Sequence, residues 1–79
     1  MPLYFFDTRD GHEFFRDEEG QELSGLAAAR NEATRGLADL AKDALPGAFR
    51  RELSVQVRDH SDRNILRASL WFKVAILLP

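Results

Sequence analysis

Between residues 3 and 17 apolar side chains crowd both sides of an Asp-Gly pair, in the run Tyr4-Phe5-Phe6-Asp7-Thr8-Arg9-Asp10-Gly11-His12-Glu13-Phe14-Phe15. Asp10-Gly11 supplies the left-handed conformations of a two-residue turn, so this stretch predicts a β-hairpin over 3–17. A turn there sets Arg9 opposite His12, Thr8 opposite Glu13, Asp7 opposite Phe14, Phe6 opposite Phe15 and Phe5 opposite Arg16. Side chains alternate between the two faces of a strand. Tyr4, Phe6 and Phe15 therefore share one face, and Leu3, Phe5, Asp7, Phe14 and Arg16 share the other.

The pattern changes after Arg16. Residues 16–25 are polar, with Gly20 at a turn and Ser24 placed to cap a helix. From 25 to 45 the apolar residues Leu26, Ala29, Ala33, Leu37, Leu40 and Ala44 recur at steps of three and four, one stripe of an α-helix that Pro46-Gly47 ends. Asn31, Glu32, Arg35, Asp39, Lys42 and Asp43 fill the opposite side, as in a helix with its back to water. Gly36 costs about 1 kcal/mol of helix stability relative to Ala, which points to close packing at that position.

Alternation by two returns over 51–77. Leu53, Val55 and Val57 face one way, followed by Leu66, Ala68, Leu70, Phe72 and Val74, which predicts a second hairpin. A four-residue loop at His60 to Arg63 pairs Val57 with Leu66, Val55 with Ala68 and Leu53 with Leu70. A one-residue slip would set Val55 beside Arg67 instead. The second strand is expected to run from Ile65 to Leu77 and to outrun its partner. One amphipathic helix covers only one face of a four-stranded sheet, so the fold class is α+β: a two-layer ββαββ domain over 1–79, its antiparallel sheet backed by one long helix. The expected core is Tyr4, Phe6, Phe15, Leu26, Ala33, Leu37, Leu40, Val55, Val57, Leu66, Leu70 and Phe72.

Composition narrows the function classes. At 79 residues there is room for one core of limited size, and folding without a partner is marginal. No cysteine is present, so disulfides, a thiol nucleophile and thiolate metal sites are excluded. The net charge of −2 gives no general attraction to polyanions. Asp7 and Asp10 near the start do not fit a secretory signal, and Val74 to Pro79 is far too short to span a membrane. The expected location is the cytoplasm, with no membrane partner.

The segments Tyr4-Phe5-Phe6, Asp10-Gly11, Asp17 to Gly20 and Leu26 to Ala33 together resemble a domain-of-unknown-function family of short alphaproteobacterial proteins. The resemblance spans nearly the whole chain and implies the same small α+β fold. Members often carry a histidine after the paired phenylalanines, where this chain has Asp7. The family has no assigned activity, so no catalytic residue is carried over from it.

Candidate chemistry is sparse. Asp59, His60 and Ser61 are triad residue types, but neighbours in one turn do not form a nucleophile-base-orienter geometry, and Asp and Ser favour such loops anyway. Asp17, Glu18, Glu19 and Glu22 lack the ligand spacing of a calcium loop. His12 and His60 do not make a metal-ligand spacing, and the five glycines do not form a phosphate loop. Neither enzymatic activity nor a cofactor or metal is expected.

The outer face of the predicted sheet is more informative. Leu3, Phe5, Phe14, Ile65 and Trp71 stand there among Arg9, Arg16, Arg58, Arg67 and Lys73, opposed only by Asp7 and Glu52. Exposed rings on a small domain mark a protein interaction surface. The favoured expectation is a binding module that forms a homo-oligomer or takes another protein through this face or the C-terminal overhang. Phe5, Phe14, Arg16, Ile65, Arg67, Trp71, Lys73, Ile76 and Leu77 are its candidate interface residues. Rings interleaved with cations also fit single-stranded nucleic acid, which is the alternative.

Overall fold

A computed structural model describes all 79 residues. In chain order the elements are β1 (Leu3–Asp10), β2 (Glu13–Phe15), β3 (Gln21–Glu22), α1 (Leu26–Ala44), β4 (Arg50–Asp59) and β5 (Asn64–Lys73). All strands pair antiparallel in the order β2-β1-β4-β5, and the short β3 pairs with the start of β1. The two hairpins thus join through β1 and β4, with Phe6 opposite Val57 and Thr8 opposite Val55. The α+β class and the ββαββ order are those expected, with β3 added inside what the sequence pattern marks as a connection.

The first hairpin turns one residue later than expected. Asp10 pairs with Glu13, Arg9 with Phe14 and Thr8 with Phe15, so Gly11 and His12 form the turn. Gly11 has φ of +60° while His12 stays at negative φ, a pattern that puts the glycine first, as in a type II′ turn. The pairing moves by two residues, so every side chain keeps its expected face. Phe15 nevertheless lies 56% exposed. It faces Thr8 instead of Phe6, on an edge strand that the helix does not reach, because α1 packs chiefly on β4 and β5.

The second hairpin has the expected register, with Val57 opposite Leu66, Val55 opposite Ala68 and Leu53 opposite Leu70. After Val57 the ladder shifts so that Arg58 faces Asn64, and Ile65 becomes the extra residue of a bulge. Asp59 organises the loop: its Oδ1 accepts the Ser61 and Arg63 N–H groups at 2.9 and 3.0 Å, and its Oδ2 meets Arg63 Nε at 2.9 Å. β5 stops at Lys73, four positions short of the expected Leu77. Val74 donates to the Phe49 carbonyl at 2.7 Å, and β4 offers nothing further to pair because the chain before Phe49 is already in the turn from α1.

Ala29 and Ala33 are the buried residues of α1, and their small side chains let it lie close on Tyr4, Val55 and Val57. Phe6, Leu23, Leu37, Leu66 and Ala68 flank this cluster, while Leu40, Leu70 and Phe72 are half-buried. Leu53 is fully buried, although the expected core omits it. Leu26, counted in that core, is 57% exposed because it opens the helix beyond the end of the packed stripe. Gly25, not Ser24, is the N-cap, in extended conformation and with no side-chain capping bond. A Cβ at Gly36 would meet nothing within 4 Å, so the close packing expected there is absent.

The radius of gyration is 14.4 Å, against about 12 Å for a compact chain of this length. No helix is long and apolar enough to cross a membrane.

Candidate functional site

The sheet face away from α1 is built by strand alternation. Across the order β2-β1-β4-β5, one row holds Phe14, Arg9, Ser54 and Ser69. Asp7, Gln56 and Arg67 form the next row, and Phe5, Arg58 and Asn64 the one beyond it. Toward the other end Glu52 faces Trp71 and Arg50 faces Lys73.

Charges at the centre of this face are locked together. Arg58 Nε donates to Asp7 Oδ2 at 2.6 Å and Nη2 to Asp7 Oδ1 at 3.1 Å, a two-pronged pair with side chains only 7% and 4% exposed. Arg58 also donates to Asp62 Oδ1 at 2.7 Å and to the Asp17 carbonyl at 2.8 Å. Its guanidinium sits 4.8 Å from the centroid of the Phe5 ring, a cation-π contact. No buried side-chain polar atom is left without a partner.

Residues 16–20 fold over this cluster and occupy the edge of β1 between its pairings with β2 and β3. Asp17 replaces a strand there. Its Oδ2 accepts the Phe6 N–H at 3.0 Å, its Oδ1 accepts the N–H groups of Glu19 and Gly20, and its own N–H donates to Asp7 Oδ1 at 3.0 Å. Gly20, at φ of +75°, lies so near that a Cβ would come 2.9 Å from Phe5 Cε1 and 3.1 Å from the Tyr4 carbonyl.

These contacts set the carboxyl acidities. Burial works to raise Asp7, but the Arg58 hydrogen bonds, the Asp17 N–H and the charges of Arg58 and Arg16 together hold it below its ordinary value. Burial likewise opposes Asp17, which the N–H groups of Phe6, Gly20 and Glu19 bring below its ordinary value. The Asp62 carboxyl is lowered first by Arg58 and then by Arg16, and Arg58 is itself raised by its bond to Asp7.

The candidate interface residues therefore separate. Phe5 is half-buried between Arg58 and the Gly20 backbone, so it is a covered structural ring and not a free anchor. Arg16 is committed to Asp62 at 3.2 Å and Glu18 at 3.7 Å. Phe14 is 49% exposed beneath the Arg9 guanidinium, across the sheet from β5. Arg67 holds Gln56 Oε1 at 2.7 and 2.9 Å. Trp71 is 71% exposed with Lys73 beside it, and Ile65 lies at the bulge. Ile76 and Leu77 stand open on the segment past β5.

Sequence reading missed the Asp7-Arg58 pair, although it placed both residues on the outer face. The available signal was an Asp among outward rings, but which strand lay beside it was not legible. It also missed Phe49, 61% exposed, and Arg50. Arg9, Arg50, Arg67 and Lys73 form no ion pair, so the free positive charge of this face lies outside the central cluster. Trp71, Arg50, Lys73 and His12 border an open groove of about 570 Å³ at the Gly11 end of the sheet.

Residues 3–71 match the model of a family described as a domain of unknown function, DUF6894, and the chain belongs to that family. No curated protein and no solved structure matches it.

Proposed function

We propose that the protein is a non-enzymatic interaction module that associates with a second copy of itself through β5 and the segment following it. The carrying observation is that β5 ends the sheet with one long edge unpaired, and none of its residues is buried although Ile65, Leu66, Ala68, Leu70, Trp71 and Phe72 are apolar. Such an edge is a template for another strand. Exposed Val74, Ile76, Leu77 and Leu78 prolong the same apolar strip. A cytoplasmic location and an alphaproteobacterial range for the family, the latter supported by the Tyr4-Phe5-Phe6 and Asp17 to Gly20 segments, belong to the same reading.

Sedimentation equilibrium over a wide concentration range tests it. The expected mass at high micromolar concentration is twice 9.0 kDa. A single 9.0 kDa species throughout would overturn self-association.

Single-stranded nucleic acid is the second reading, favoured by Trp71 standing next to Arg50 and Lys73, two cations without carboxylate partners. A ring for stacking and unpaired cations for the backbone suit that ligand. Oligonucleotide titration at two salt concentrations separates the readings, because phosphate contacts weaken steeply as salt rises.

A further inference from the structure

The phase of the backbone hydrogen bonds fixes how two β5 strands can meet. Val74 donates to Phe49 directly opposite it, so the even-numbered residues of β5 aim their N–H and C=O groups at β4. Arg67, Ser69, Trp71 and Lys73 then aim theirs at the open edge. Two copies related by a twofold axis must bring edge-facing residues opposite one another, which leaves registers that differ by steps of two.

Side chains choose among these registers. With Ser69 opposite the partner copy's Ser69, Arg67 faces Trp71 on the outer side, while Ala68 faces Leu70 and Leu66 faces Phe72 on the helix side. That register gives two cation-π pairs and unbroken apolar contact. Shifting one way sets Arg67 against Lys73, a like-charge pair repeated by symmetry, and shifting the other way sets Arg67 against Ser69 and loses both cation-π pairs.

The ends of the strand complement each other in the same register. The exposed segment Val74 to Leu78 follows the end of β5, and an open groove of about 360 Å³ lies at its beginning, with Leu3, Leu26 and Ile65 along it beside Asp59, His60 and Arg63. Antiparallel pairing carries each segment past the partner's His60 to Arg63 loop to that groove. It also gives exposed Leu26 a cover that its own chain does not provide.

We infer that two chains pair β5 to β5 with Ser69 on the twofold axis, and that Ile76 and Leu77 of each seat in the groove beside Leu26 of the other. The inference rests on the self-association proposed above and specifies its geometry. The joint sheet then runs β2-β1-β4-β5 and back through the second copy, with both helices on one side.

Cysteine cross-linking tests this cleanly because the chain has no cysteine. A hydrogen-bonded antiparallel pair sets Cα atoms about 5.5 Å apart, within the roughly 4.4–6.8 Å span of a disulfide. Mild oxidation of Ser69→Cys is expected to give a covalent dimer, while Ser54→Cys on β4 stays uncross-linked. Mixed Leu26→Cys and Leu77→Cys chains should yield the hetero-cross-linked species in excess over either homodimer. Ile76→Asp/Leu77→Asp should raise the dimer dissociation constant at least tenfold. A wild type that sediments as a dimer, with neither cross-link formed, would overturn the register and the seating of the segment while leaving self-association standing. A wild type that sediments as a monomer would overturn both.

Discussion

Arg58 and Asp7 meet in a two-pronged ion pair at 2.6 and 3.1 Å on the open face of the sheet, where the Phe5 ring and residues 16–20 shut them off from water. The pair crosses the junction of the two hairpins, since Asp7 is on β1 and Arg58 on β4. Arg58→Met leaves the Asp7 carboxylate buried without its partner and is expected to cost about 3 to 5 kcal/mol in urea denaturation. Asp7→Asn in the same chain removes the stranded charge, so the double variant is expected to be more stable than Arg58→Met alone.

Acid should loosen the same cluster. Asp7, Asp17 and Asp62 all titrate below their ordinary values in the folded chain. Groups with lowered folded values stabilise the fold fully above the unfolded value, about 3.9 for Asp, and the contribution is lost as pH falls through the folded values. Thermal unfolding followed from pH 7 to pH 2 is therefore expected to show midpoints that hold down to about pH 5 and then drop. Asp7→Asn should flatten that drop.

Glycines separate by what surrounds them. Gly20→Ala puts a Cβ against Phe5 and the Tyr4 carbonyl at a left-handed position and is expected to destabilise by more than the about 1 to 2 kcal/mol of the backbone conformation alone. Gly11→Asn meets open space but must hold a left-handed backbone, so it should cost no more than the about 1 to 2 kcal/mol of that conformation. Gly36→Ala, also in open space and inside α1, is expected to stabilise by about 0.5 to 1 kcal/mol. Denaturant midpoints for the three variants check the order.

The two outward aromatics of the sequence reading now predict different outcomes. Phe5→Ser strips the cover from Arg58 and is expected to cost about 2 to 4 kcal/mol of stability. Trp71, 71% exposed, contributes little to the fold of one chain, so Trp71→Ser should keep the thermal midpoint of the dilute protein and weaken self-association. Paired denaturation and sedimentation measurements distinguish them.

Local pattern carried much of the architecture. The alternation at Leu53, Val55 and Val57 determined the register of β4 against β5, because any slip exposed apolar residues. The parity of the first hairpin survived a misplaced turn because the register moved by two. Burial of Phe5 was not legible in that parity, since it depends on Asp17 and Gly20 folding back and on β1 lying beside β4, both long-range facts. The exposure of Phe15 and Leu26 depends likewise on where α1 crosses the sheet, which helical periodicity alone does not determine.

Amide hydrogen exchange at the β5 edge tests the central claim most directly. The N–H groups of Arg67, Ser69 and Trp71 point away from β4 and have no partner within one chain. Self-association through β5 predicts that these three amides are protected at high micromolar concentration and that their protection falls on dilution. Exchange as fast as in an unstructured peptide of the same sequence at every concentration would contradict it.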